Sequence, residues 1–251
     1  MIDALIEHVI RQSVALQSAR ARLEARTDAE ALHDMRVAVR RLRSLLRPLR
    51  SLAPFAGLEA AAAAFGQKST SLRDSEVLLD ELNKCGHPRL SARRKALSRG
   101  YDALLASREL ALLLKTLEGW PATLRLAVWH GELTGLAPYI RKRLGRQRRR
   151  LGEALRDPEH DRHRLRVLIK RVRYAAESYP ALAGVPKPVA RQLKTAQAAL
   201  GDWHDHLQWL NRAETERDLQ PYCETWRRAQ FVDERRADRA LRPLLRAFSA
   251  G

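Results

Sequence analysis

The feature that most constrains this chain is a cationic helical stripe that occurs twice. Residues 32–50 read LHDMRVAVRRLRSLLRPLR, and about 130 residues later residues 162–177 read RHRLRVLIKRVRYAAE. In each copy a histidine is followed at +3, +7, +8 and +10 by basic residues: His33, Arg36, Arg40, Arg41 and Arg43, then His163, Arg166, Lys170, Arg171 and Arg173. At ~3.6 residues per turn, the histidine and its +3, +7 and +10 partners fall within an arc of roughly 80° to 100°. The opposite face is apolar, with Met35, Val39, Leu42, Leu46 and Leu49 in the first copy and Leu165, Ile169, Val172 and Ala176 in the second. Such a helix packs on one side and displays cations on the other.

A merely solvated face normally mixes signs, because like charges at i,i+4 cost about 0.2–0.5 kcal/mol per pair. Here six arginines stand against one acid, Asp34, between residues 33 and 50, and five basic residues against none between 163 and 176. Repulsion repeated in both copies points to an anionic partner. The whole chain agrees: 47 Lys+Arg against 29 Asp+Glu give a formal net charge of +18, and the isoelectric point is near 11.0. That balance fits an anionic polymer, an acidic membrane surface or an acidic protein, and charge alone does not choose among them.

With 251 residues and 45% hydrophobic content, there is enough apolar material for one large core or two small ones. The two cysteines, Cys85 and Cys223, are far apart and form no CxxC, so neither a disulfide framework nor a zinc knuckle is indicated. The opening MIDALIEHVIRQ places Asp3 and Glu7 where a signal peptide has a basic start and an unbroken apolar core. No run approaches the length of a membrane span, so a cytoplasmic location is expected.

Apolar residues recur at three and four, and no run of alternating β-branched residues appears, so the fold is expected to be all-α. Helices are expected over about residues 2–24, 57–83 and 91–118. Thr27 and Glu30 form a capping-box pattern that opens the first signature helix, and Pro48 kinks or ends it, leaving Arg47 and Arg50 at its edge. Residues 119–138, GWPATLRLAVWHGELTGLAP, read as a connection containing a short helix at most. The order then repeats. Ile140, Arg141, Leu144 and Gln147 match Ile10, Arg11, Val14 and Gln17, and Asp157-Pro158 opens the second signature helix as N-cap and N1 proline. Pro180, Pro186 and Pro188 separate it from the next helix, and Pro221 precedes a final one to about residue 250. The economical architecture is two tandem antiparallel four-helix bundles related by pseudo-two-fold symmetry: residues 1–118, then 119–251 as connection and second bundle.

Two acids also recur. Asp74, in SLRDSEVLL, and Asp205, in GDWHDHLQWL, follow His33 and His163 by 41 and 42 residues. They either orient basic residues of the neighbouring signature helix or serve as ordinary surface or capping carboxylates. His160, His163, His204, Asp205 and His206 invite a metal reading, but the cations at +3 and +7 would repel a divalent ion and the first half holds only His33 in the matching places, so no metal site is expected. FGQKST, residues 65–70, lacks the adjacent Gly-Lys of a phosphate loop and sits in a helical pattern. Residues 212–239 alternate both signs and read as a solvated face, while Trp203, Trp209 and Trp226 read as core.

The paired helices at 33–43 and 163–173, together with LRDSEVLL and LGDWHD, resemble the CHAD family, the conserved-histidine α-helical domain, over nearly the whole chain. That resemblance implies two four-helix bundles whose basic faces converge on a cleft or pore that binds inorganic polyphosphate, in some members on polyphosphate granules. The residues it assigns to polyphosphate are His33, Arg36, Arg40, Arg41, Arg43, Arg47, His163, Arg166, Lys170, Arg171, Arg173 and Lys194, with Asp74 and Asp205 in support. It implies no cofactor, no catalytic residue and no enzymatic activity: the ExExK motif of a fused triphosphatase is missing, the nearest run being Glu214-Thr215-Glu216-Arg217-Asp218. From His33 to Arg47 a helix extends ~21 Å at ~1.5 Å per residue, enough to face several phosphoryl groups. The rivals are a sequence-nonspecific nucleic-acid-binding module, a metal-dependent phosphohydrolase and a scaffold for acidic proteins. Residues 33–50 contain no aromatic and the second copy offers only Tyr174, which disfavours base stacking.

Overall fold

The computed structural model describes residues 1–159 and 161–249; His160, one of the histidines weighed above for a metal, lies outside the described residues. Ten α-helices and two short 3-10 segments, with no strand, make up the described residues: α1 (Ile2–Ala25), α2 (Ala31–Leu46), a 3-10 turn (Arg47–Leu49), α3 (Ala53–Lys68), α4 (Thr70–Lys84), α5 (Leu90–Leu105), α6 (Arg108–Trp129), α7 (Leu136–Arg156), α8 (Arg162–Ser178), α9 (Lys187–Ala213), a second 3-10 segment (Arg217–Tyr222) and α10 (Cys223–Ser249). The fold is all-α. It divides into two compact units, Met1–Ala137 and Pro138–Gly251.

In the first unit α2 packs between α1 and α3, α3 lies against α6, and α4 against α5. The apolar face read from the sequence is the buried one: Met35, Val39, Leu42, Leu46 and Leu49 are all buried, and Leu32, Ala38 and Leu45 widen the stripe. Pro48 sits in the 3-10 turn that ends α2, as its missing N–H and ring clash require. The helix does not open on a capping box. Glu30 is the N-cap without a side-chain cap, and Asp28 Oδ1 instead accepts from Glu30 N–H at 2.8 Å. Asp28 and Asp34 both pair with Arg22 of α1, the latter at 2.7 Å, which ties the start of α2 to its neighbour.

The third and fourth helices of this unit are each broken in two. At Ser69, which is fully buried, the hydroxyl donates to Gly66 O at 3.3 Å and Thr70 Oγ1 donates to the same carbonyl at 2.9 Å. Hydroxyls that bond the backbone locally compete with the helical ladder, and α3 stops there. Ser107 makes the other break by accepting from Leu110 N–H at 3.3 Å, the N-cap of a new helix. That helix, α6, runs through Pro121 to Trp129, so most of the expected connection is helical. Trp120 explains why: it is buried, donates to Pro54 O at 2.9 Å and lies 6.1 Å from the Phe55 ring, pinning α6 to α3. The chain turns after it through Gly131 and Gly135, whose φ of 73° and 69° lie in the left-handed region.

In the second unit α7 to α10 share one core, to which Leu151, Leu165, Ile169, Leu193, Leu200 and Leu244 contribute. The cap of α8 is Asp161, not Asp157: its carboxylate accepts from His163 N–H at 2.9 Å and Arg164 N–H at 3.2 Å. Asp157 instead closes a local turn by accepting from Glu159 N–H at 3.0 Å. The mixed-sign stretch of α10 is more than a solvated face. Its Glu234 and Asp238 pair with Arg162 at 3.0 and 3.1 Å, Asp233 with His206 at 2.9 Å, and Arg236 with Asp202 at 2.7 Å. Trp209 and Trp226 are buried as expected, and Trp203 is half-buried. No described helix is long and apolar enough to cross a membrane.

Because Asp161 satisfies two orphan donors at the start of the second signature helix, Asp161→Ala is expected to cost about 1 kcal/mol in urea unfolding. Asp157→Ala, which leaves that cap intact, is expected to cost less, and the reverse order would place the cap at Asp157.

Candidate anion-binding faces

On α2 the stripe folds toward the junction of α3 and α4. Arg36 is half-buried and its Nη1 donates to Ser69 Oγ at 2.6 Å, Gly66 O at 3.1 Å and Thr70 Oγ1 at 3.4 Å. Burial lowers its pKa, Asp74 opposes that shift, and Arg73 and Arg40 add to it. FGQKST is therefore the seat of a signature arginine. His33 is also held below its ordinary value, first by burial and then by Arg73, with Arg40 acting in the same direction against Glu30 and Asp34. Arg73 comes from α4. Its Nη1 binds Glu76 Oε2 at 2.8 Å, and the buried Glu76 accepts from Tyr101 Oη of α5 at 2.6 Å. Burial, then that carboxylate, push the Tyr101 phenol upward, so it remains a donor. The first unit thus gathers His33, Arg36, Arg40 and Arg73 on one face, with Asp74 beside Arg36.

On α8 the corresponding face meets α9. His204 is half-buried with its ring 5.2 Å from that of His163. Burial, then Arg166, His163 and Lys170, push it down to about 4, so it is neutral at pH 7. The second unit gathers His163, Arg166, Lys170 and His204. Further along the pair, Gln197 Nε2 donates to Tyr174 Oη at 3.2 Å, and Arg173 lies 4.5 Å over the Tyr174 ring.

A family model describing the CHAD domain matches residues 8–214. The chain belongs to the CHAD family. The crystal structure of the CHAD domain from the plant Ricinus communis is similar to it, with 25% sequence identity and a TM-score of 0.69, covering 99% of this chain and 91% of that one. No curated protein matches.

Within this CHAD chain the structure sorts the residues of the repeated stripe. The histidine and the +3 and +7 cations of each copy stand together. The +10 arginines stand near carboxylates, Arg43 with Glu59 at 3.7 Å and Arg173 with Glu177 at 3.5 Å. The +8 arginines differ between the copies. Arg41 is exposed and acts on His8 of α1, while Arg171 lines a groove between α7 and α8 with Arg150, Asp157, Arg164 and the signature His163. Arg47 has left the helix for the 3-10 turn. Lys194 is exposed near the Tyr174–Gln197 contact, ~15 Å along α9 from His204 at ~1.5 Å per residue. Among the described residues no cluster of three His, Cys, Asp or Glu is arranged to hold a metal.

Arg73 and His204 were not legible in the stripe itself. The available signal was their shared place: each immediately precedes the recurring aspartate, Asp74 or Asp205, and each is basic.

Arg36 is both cation and strut, so Arg36→Ala is expected to lower stability by about 1.5–3 kcal/mol in chemical denaturation. Arg36→Lys, which keeps the charge but not the fork, is expected to recover only part of it. The neutral histidines set a pH dependence. Because the folded pKa of His204 is about 4 against an ordinary 6.5, the unfolded chain binds more protons between those values. Its contribution is complete above pH 6.5 and is lost as pH falls toward 4. His204→Gln is therefore expected to flatten the loss of stability between pH 6.5 and 4.5; an unchanged slope would show that this ring is not held neutral by the fold.

Proposed function

We propose that this chain binds inorganic polyphosphate, without hydrolysing it, through the cationic faces of α2 and α8. The observation that supports the reading most is shared by both units. The +3 and +7 cations of the signature helix meet a further basic side chain from the next helical column, Arg73 or His204, around the signature histidine. The arginine and lysine charges raise one another's free energy, and a chain of phosphoryl groups turns each repulsion into an attraction, while the neutral His204 offers a ring to the same face. Arginine forks suit phosphate oxygens, and ammonium groups such as that of Lys170 add point charges. Recognition is of charge and spacing, so binding is sequence-free and accompanied by counterion release. The family supports this choice of polymer over nucleic acid, as does Tyr174, whose ring lies under Arg173 and whose hydroxyl accepts from Gln197 Nε2. In a cell the same affinity would carry the chain to cytoplasmic polyphosphate granules.

The test removes charge without removing the strut. Arg40→Ala, Arg166→Ala and Lys170→Ala combined, with Arg36 retained, are expected to weaken binding of long-chain polyphosphate by roughly 100-fold or more at moderate salt. Helicity by circular dichroism should be kept, and a fluorescently tagged triple variant should leave granules. Unchanged affinity contradicts the proposal. Nucleic acid displacing polyphosphate at matched phosphate concentration would favour a nucleic-acid-binding module instead.

A further inference from the structure

The two faces differ at one matched place, and the difference is chemical. Arg73 and His204 each precede the recurring aspartate, each belongs to the helical column that follows the signature helix, and each reaches the signature histidine of its own unit. We propose that they are matched anion contacts, and that the exchange of arginine for histidine makes polyphosphate binding by the second unit proton-coupled. The inference rests on the polyphosphate reading above and adds a regulation of that same site.

The surroundings of the two side chains support it. Arg73 is permanently charged and fixed by the buried Glu76, which Tyr101 holds in turn. His204 faces His163, Arg166 and Lys170 from α8. On α9 its neighbours are Asp205 and Trp203, the latter 6.3 Å away between ring centroids. From α10, Asp233 and Arg236 engage His206 and Asp202, on either side of it. Its Nδ1 is buried and has no hydrogen-bond partner among the described residues. In the free protein, burial first and then the cations on α8 keep a proton off this ring. A bound polyanion reverses the sign of that field, so the ring takes up a proton and becomes a third cation of the face. The internal phosphates of a long chain stay ionised through neutral and mildly acidic pH, so the proton is gained by the protein.

The experiment is isothermal titration of the full chain with long-chain polyphosphate at pH 5.5, 6.5 and 7.5, each in two buffers of different ionisation enthalpy so that protons taken up are counted. Full restoration of His204 from about 4 to its ordinary 6.5 would give wild type about tenfold more affinity between pH 7.5 and 5.5 than His204→Gln, and partial restoration, with burial still opposing the proton, a smaller gain of the same sign. With full restoration, wild type should also take up close to one proton more at pH 5.5. His204→Arg should bind more tightly than wild type at pH 7.5 and show the flatter slope, and Arg73→His should steepen it. His33 and His163 are present in all four proteins, so the differences report the exchanged side chain. The inference is overturned if His204→Gln and His204→Arg keep the wild-type slope and proton count. Should His204→Arg lose its helicity, His204→Gln alone decides. No binding by wild type at any pH overturns the polyphosphate reading, and this inference with it; binding with an unaltered slope in the variants overturns the inference alone.

Discussion

Cations on one face of one helix repel, and the rest of each unit is arranged so that the helix keeps them there. The opposing magnitudes favour the fold. Each like-charge pair at i,i+4 costs about 0.2–0.5 kcal/mol, whereas each fully buried Leu, Met, Val or Ile contributes about 1.5–3 kcal/mol. On α2 the buried face carries Met35, Val39, Leu42 and Leu46, and on α8 it carries Leu165, Ile169 and Val172. The core therefore fixes the spacing of Arg36 and Arg40, and of Arg166 and Lys170, in advance. For the polymer proposed above, the ordering of these side chains would already have been done on folding, which is the energetic meaning of preorganisation.

Acids are placed to brace that arrangement without erasing it. Asp34 faces Arg22 of α1, Glu76 steadies Arg73, and Asp74 offsets part of the burial penalty on Arg36. In the second unit the acids of α10 engage Arg162, His206 and Arg236, all off the +3 and +7 positions. Carboxylates here tie one helix to the next. The +10 arginines also stand beside carboxylates, at the end of the stripe away from the histidine: Arg43 beside Glu59 of α3, and Arg173 beside Glu177 of its own helix.

How much of this is legible in the sequence follows from how local each cause is. The all-α fold and the buried faces of α2 and α8 come from 3.6-residue periodicity, which any window of the chain displays. The end of α2 at Pro48 is equally local. Breaks and caps depend on which of several candidate side chains reaches a backbone group. Ser69 interrupts α3 because its hydroxyl and that of Thr70 find Gly66 O while Arg36 arrives from another helix, and nothing within residues 57–83 announces that arrival. Asp157 and Asp161 are chemically equal as caps, and only the path of the chain between α7 and α8 selects Asp161. Trp120 makes residues 119–129 helical through a tertiary contact with Pro54 and Phe55, overriding the glycine and proline that read as a linker. The site shows the same division. The +3 and +7 cations follow from the helical angle, whereas Arg73 and His204 come from helices beyond the stripe and become visible only when the columns pack.

The binding proposed for the faces of α2 and α8 requires each to hold a long polyanion by several ionic contacts at once. Titration of wild type with long-chain polyphosphate, tripolyphosphate and single-stranded DNA at stepped salt concentrations tests it most directly. The account predicts that log affinity for the long polymer falls linearly with log salt, with a slope reporting several released counterions, and that the long polymer binds more tightly per chain than tripolyphosphate and more tightly per phosphate than DNA. A salt-independent affinity, or equal binding of all three at matched phosphate, would contradict it.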